Sequence, residues 1–332
     1  MSLVRMAVCA LATAALLTAC AKPAPTPAQS QVLNFSILSA EDQQSMGRVW
    51  QPLLDDLQKQ TGLKVKAFYA SNYTALIEAM RFNQVQMGWF SALPALEAVN
   101  RADAEVLGRI ISGDGTVTYE SVLIVHKGSS ITLDDVLKCG KRYNFGIGDP
   151  RSTSGTLAPN YYVFAPKGIE PADCFKTVRS ASHQANLGAV ANGLLDVSSN
   201  NTEGLLFAQR QNPEIPAKVK IIWTSPPLPE SAILVRKDVD PAVKARLKAF
   251  FTSYGTAQGA EGDHERQVLK GLTYAGFKAT DDSYLDPIRL MVASDDLSRA
   301  KRSGEGAKIA DAQKAFDAVK ALTASRAKPA AP

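Results

Sequence analysis

Gly148-Asp149-Pro150-Arg151-Ser152-Thr153-Ser154-Gly155 is the stretch from which the rest of the chain is best read. It follows the apolar run Tyr143-Asn144-Phe145-Gly146-Ile147, which reads as a strand, and breaks at Asp-Pro before a segment, 156–164, spaced for a helix. A strand-turn-helix unit of this kind sets three hydroxyl side chains beside the unpaired N–H groups of a helix start, where the backbone dipole also favours an anion. The turn is therefore expected to hold a phosphorus oxyanion. The alternative is that Ser152 or Ser154 is an ordinary helix N-cap.

The same alternation extends outward in both directions. Upstream, 32–38 alternates as a strand, and 46–60 carries apolar residues at Val49, Trp50, Leu53, Leu54 and Leu57, a helical spacing closed by Gly62. Strands are expected at 63–69 and 85–90, with helices at 75–82 and 93–100. Around the hydroxyl turn a second series places strands at 143–147, 174–179, 197–199 and 219–223 and helices at 183–192 and 202–209. Repeated β-α units with short turns predict α/β architecture with mainly parallel sheets covered on both faces. Ligands of such sheets lie at the carboxyl ends of the strands. Tyr73, Phe90 and Ser91 fall there, as do Ser152, Thr153 and Ser154. Two strongly apolar runs, 121–125 and 232–235, bracket the second series and read as crossovers between lobes, the alternative being one continuous sheet. The expected division is lobe 1 at 32–122 plus 233–323 and lobe 2 at 123–232. Beyond Pro241, helices are expected at 243–251, 267–277 and 310–323, with a polar connection at 299–306 and a disordered tail at 324–332.

Composition narrows the function. With 332 residues, 45% hydrophobic and 21% charged, the chain suits two globular units with real cores. A formal net charge of +5 mildly favours anionic ligands, but no Lys/Arg run or aromatic–basic alternation marks a nucleic-acid binder. Arg5 and the apolar run 6–17 fit a secretory signal, and Leu17-Thr18-Ala19-Cys20 resembles a bacterial lipobox. The expectation is a lipoprotein signal peptide at 1–19, a lipidated Cys20, a Pro/Ala linker at 20–31 and a periplasmic protein held to a bacterial membrane only by its lipid. A plain secretory signal is the alternative. Cys139 and Cys174 are left as a pair in an oxidising compartment, where they could form a disulfide or stand as two buried thiols. Three His residues without ligand spacing predict no metal site.

The candidates for chemistry beside the turn are Tyr73, Phe90, Tyr119, His183 and Glu203, all close to strand-to-helix junctions. No Gly-x-Ser-x-Gly elbow accompanies Ser154 and His183, and no Walker-type loop or cofactor fingerprint is present. Binding without cofactor is thus expected over catalysis.

Asn72-Tyr73 with Ile77-Glu78-Ala79-Met80-Arg81-Phe82-Asn83, the Asp149–Gly155 turn with Tyr161-Tyr162-Val163-Phe164-Ala165, Ser182-His183 and Asn201-Thr202-Glu203-Gly204 resemble the phosphonate-binding periplasmic proteins of bacterial ABC importers. The likeness covers about 33–236. It implies a type II periplasmic binding fold, a monomer of two α/β lobes joined by a two-segment hinge, and delivery of ligand to an ABC permease with its ATPase. Carried over, Ser152, Thr153 and Ser154 would hold the phosphorus oxygens with His183 and Tyr73, and Glu203 would face an amine. Two departures stand out: Phe90 where related aminoethylphosphonate binders carry Tyr, and Ser231 where they carry Asp. Neighbouring Glu230 could replace that acid. The expected ligand is a phosphonate or organic phosphate ester, with a primary or a methylated amine both open. An exported phosphate-ester hydrolase and the sensing subunit of a signalling receptor are the alternatives.

Overall fold

The computed structural model describes residues 32–38 and 43–327. The expected signal peptide, Cys20 and the linker lie outside the described residues. The first lobe opens with β1 (Val32–Leu38), α1 (Gln43–Thr61), β2 (Lys64–Ala70), α2 (Tyr73–Arg81), β3 (Met87–Phe90), α3 (Ala92–Arg101) and β4 (Ala104–Ser112). After β5 (Thr118–Tyr119) the second lobe runs β6 (Ser121–His126), α4 (Leu133–Leu137), β7 (Asn144–Ile147), α5 (Pro171–Cys174), β8 (Thr177–Ser180), α6 (His183–Ala191), β9 (Val197–Asn201), α7 (Thr202–Gln211) and β10 (Val219–Thr224). The chain returns through β11 (Leu228–Pro229) and completes the first lobe with β12 (Ala232–Arg236), α8 (Pro241–Ser253), α9 (Gly259–Gly271), β13 (Tyr274–Lys278), α10 (Asp286–Ser303) and α11 (Gly306–Ala327).

Both sheets are mixed, which corrects the mainly parallel expectation. In the first, ordered β13-β4-β12-β3-β1-β2, only β1 pairs in parallel, with β2 and β3; β12 runs antiparallel to both its neighbours. In the second, ordered β10-β6-β9-β7-β8, β6 is antiparallel to β9 and β10. The strands that follow each crossing, β6 and β12, enter their sheets from the opposite lobe, so they run against the local β-α series. Apolar clusters cover each face of each sheet: α2, α3 and α10 lie on one side of the first and α1, α8 and α9 on the other.

The two apolar runs are not the crossovers themselves. Both β6, apart from His126, and β12 are buried throughout as internal strands, and a strand covered on both faces reads as continuous apolar sequence. The crossings are the short strands just before them, β5 and β11, which pair antiparallel as a two-stranded ribbon.

Three further elements differ from expectation. The strand β4 was not anticipated. The helix expected at 267–277 stops at Gly271, Thr273 turns with φ of 69°, and Tyr274–Lys278 continues as an edge strand on β4. Residues 299–303, expected in a connection, end α10, while α11 packs along α10 and runs to Ala327, into the segment expected as a tail. The rest of that tail lies outside the described residues. Cys139 and Cys174 are disulfide-bonded, with Cα atoms 4.5 Å apart, which ties the end of α4 to the end of α5.

Candidate functional site

The hydroxyl turn is closed by its own glycines. The Gly148 N–H donates to the Gly155 carbonyl at 2.9 Å, and a Cβ on either residue would come within 3.0 Å of the other's Cα. Ser152 is the N-cap, its Oγ accepting from the Gly155 N–H at 2.9 Å, and the helix begins as a π-turn over Thr153–Leu157 rather than at 156. The amides of this first turn have no intrahelical partner by the geometry of any helix start. Four more helix starts converge on the same cleft, capped or begun by Asn72, Ser91, Ser182 and Asn201. Each follows the carboxyl end of the strand of a β-α unit, as the alternation requires.

The cleft between the lobes is lined at one end by Tyr73, Ser91, Tyr119, Ser154, His183 and Asn201. His183 Nε2 lies 3.5 Å from both Ser152 Oγ and Ser154 Oγ, and Asn201 Nδ2 donates to Ser154 Oγ at 3.2 Å. Burial lowers the His183 pKa to about 4, so the ring is neutral at pH 7. His183 Nδ1 and Ser91 Oγ are buried and without a protein partner among the described residues. This end therefore offers neutral donors with unused capacity, and no Lys or Arg lines it.

At the other end stand two carboxylates, one from each side of the cleft. Glu203, in the first turn of α7, accepts from Thr273 Oγ1 at 3.1 Å across the lobes, and burial raises its pKa. Glu230 follows β11, accepts from Ser112 Oγ at 3.2 Å and from the Ser231 N–H at 2.8 Å, and is raised to about 7 by burial and then by the Glu203 carboxylate. Trp50, Trp89, Phe207 and Tyr274 wall this end. A buried acid, Glu230, beside a half-buried one, Glu203, whose charge disfavours its ionisation, inside aromatic walls, makes a receptor for a cation.

Of the residues expected here, Tyr73, Tyr119, Ser154, His183, Glu203 and Ser231 line the cleft, and Ser152 reaches His183 from the adjoining hollow. Two differ. Phe90 is fully buried in the core of the first lobe and lines no part of the cleft; its strand neighbours Trp89 and Ser91 do, because successive residues of a strand face opposite sides. Thr153 is also fully buried, and its Oγ1 accepts from the Leu93 N–H of α3 at 2.8 Å, a bond between the lobes. Ser91, placed at the ligand end of the sheet, and Asn201, part of the Asn201–Gly204 motif, were given no role from sequence, and the aromatic wall went unassigned. The position of Ser91 at a strand's carboxyl end before a helix was the available signal for it.

The family model for periplasmic substrate-binding proteins of ABC phosphonate transporters matches residues 35–285. The chain is 41% identical over 280 residues to the phosphonates-binding periplasmic protein of Escherichia coli (strain K12), covering 84% of this chain and 81% of that one. A crystal structure of the binding-protein component of a Pseudomonas aeruginosa ABC phosphonate transporter superposes with a TM-score of 0.84 at 35% identity, covering 90% of this chain and 100% of that one. A Prochlorococcus marinus (MIT 9301) protein solved in complex with methylphosphonate shares the fold at 20% identity and a TM-score of 0.69, covering 78% of this chain and 96% of that one.

Proposed function

We propose a ligand for this chain from one premise: it belongs to the family of periplasmic phosphonate-binding proteins, and it is the substrate-binding protein of an ABC phosphonate transporter, not an enzyme. The ligand we infer is a phosphonate bearing a primary amine a short carbon chain away from phosphorus. The observation that carries this reading is the pair Glu203 and Glu230 at the far end of a cleft whose near end offers neutral hydroxyl, imidazole and helix-start donors. A tetrahedral oxyanion is matched by the donors. An ammonium with three N–H groups is matched by two carboxylates and the hydroxyls of Ser231 and Thr273. Glu230 thus stands in for the acid absent at Ser231.

Calorimetric titration with aminoethylphosphonate, its N-methylated series and methylphosphonate tests the assignment. The expected order is the primary amine first, with affinity falling at each N-methylation and Glu230→Gln lowering amine binding more than methylphosphonate binding. Tighter binding of the trimethylammonium form would overturn the primary-amine reading.

Ligand capture closes the lobes about the β5–β11 ribbon, and the loaded protein passes its ligand to the permease. Because each lobe holds part of the site, binding and closure are linked. The lipobox-like Leu17-Thr18-Ala19-Cys20 supports anchoring through a lipid on Cys20. Loss of membrane association in Cys20→Ala is the expected result, read by fractionation.

A further inference from the structure

Beside the main cleft lies a second chamber that the phosphonate reading touches only through Tyr73, Ser152 and His183. Tyr73 and His183 wall both spaces, but Ser154 faces only the main cleft and Ser152 only the second chamber. His183 Nε2 lies 3.5 Å from each of those hydroxyl oxygens, so a tetrahedral group held by all three presents one oxygen toward each space. The buried, unpartnered Nδ1 belongs to the same ring. We infer that the protein also takes monoesters of aminophosphonates, with the ester arm, a small neutral polyol, lodged in the second chamber. This rests on the main cleft being an aminophosphonate site.

The chamber's chemistry selects the arm. Ser71 and Asn72 come from the first lobe, and Asp149, Ser180 and Ser182 from the second. Ser71, Asn72 and Ser180 are exposed, which makes the chamber a mouth to solvent and gives an arm room to extend. Ser182 Oγ accepts from the Ala185 N–H and Ser71 Oγ from Asn72 Nδ2, leaving both hydroxyl protons for an acceptor on the arm. The Asp149 carboxylate opposes a second anion, so an arm carrying a carboxylate or phosphate is disfavoured. Neither space is lined by Lys or Arg, and esterification lowers the charge at phosphorus to a monoanion that neutral donors can hold.

Calorimetry on the mature protein with aminoethylphosphonate, its monoglyceryl ester and its monocarboxymethyl ester tests this. The glyceryl ester is expected within about tenfold of the free acid, where tenfold is about 1.4 kcal/mol, and the carboxymethyl ester weaker than that. Ala181 lines only the second chamber. Ala181→Phe, and independently Ser71→Trp from the opposite wall, are expected to lower the ester's affinity relative to the acid's by at least about tenfold through steric exclusion. If the free acid binds while the glyceryl ester falls more than tenfold behind it, the proposal is overturned and the aminophosphonate reading stands. Equal losses of acid and ester in both variants also overturn it, because the arm then lies elsewhere. Failure of the acid itself removes the premise and the proposal together.

Discussion

At the scale of single residues, His183 joins the two hydroxyls that matter. A neutral imidazole can donate from one nitrogen only, so the hydroxyls of Ser152, Ser154 and Ser91 and the helix-start amides share the remaining donation to a phosphorus group. Ser152→Ala combined with Ser154→Ala is expected to abolish phosphonate binding by calorimetry; unchanged affinity would remove the turn from the site. For Ser91→Ala a loss of about 1.5–3 kcal/mol is expected, the usual worth of a hydrogen bond to a charged group. The acids have a different signature. Glu230 has a pKa near 7, and an ammonium requires it ionised. Amine-ligand affinity should therefore rise from pH 6 to pH 8 in the natural protein, and this slope should flatten in Glu230→Gln. A Gln variant with the same slope would show that Glu230 does not face the amine.

At the scale of elements, the hydroxyl turn works as a clasp between lobes as well as a ligand loop. Thr153 accepts the Leu93 N–H at the start of α3, while the neighbouring Arg151 donates to Thr74 Oγ1 at 3.0 Å and pairs with Glu97 of α3. Thr153→Val keeps the shape and leaves a buried N–H without an acceptor, which costs about 1–3 kcal/mol of the lobe-to-lobe contact. Its expected effect is weaker ligand affinity with the solution scattering profile shifted toward a more open form, although Thr153 lines no part of the cleft. The pinched glycines set the turn's geometry: Gly155→Ala places a methyl 2.8 Å from both Gly148 Cα and Ser152 Oγ. That clash cannot be relieved by a flexible side chain, so Gly155→Ala should lose phosphonate binding even though the Ser-Thr-Ser sequence is intact.

For the whole molecule, two buried titrations oppose one another. Between about pH 4.5 and 7 the folded protein keeps a proton on Glu230 that the unfolded chain has lost, so this group's contribution to stability falls as pH rises. Between about 4 and 6.5 the unfolded chain carries a proton on His183 that the folded protein lacks, so that contribution rises with pH. In melts of the ligand-free protein, the stability of the natural chain relative to Glu230→Gln should decline from pH 4.5 to 7; a constant difference would contradict the raised acid. The disulfide spans 35 residues and should contribute about 3–4 kcal/mol, read as the loss on replacing both cysteines by Ser. Sequence alone carried the β-α rhythm, the hydroxyl turn and six of the residues that line the cleft, Tyr73, Tyr119, Ser154, His183, Glu203 and Ser231, because helix and strand periods and capping residues are local signals. It misjudged the crossovers, since an apolar run marks burial on two faces and not which sheet a strand joins. It missed β13, where a short strand follows a helix with little change in composition. Phe90, Thr153 and Glu230 were decided only by tertiary structure: the sheet's pleat turns Phe90 into the core, the approach of α3 takes up Thr153, and Glu203 from the other lobe makes Glu230 half of a paired acid. Such roles depend on distances between segments far apart in the chain, and no local pattern of residues encodes them.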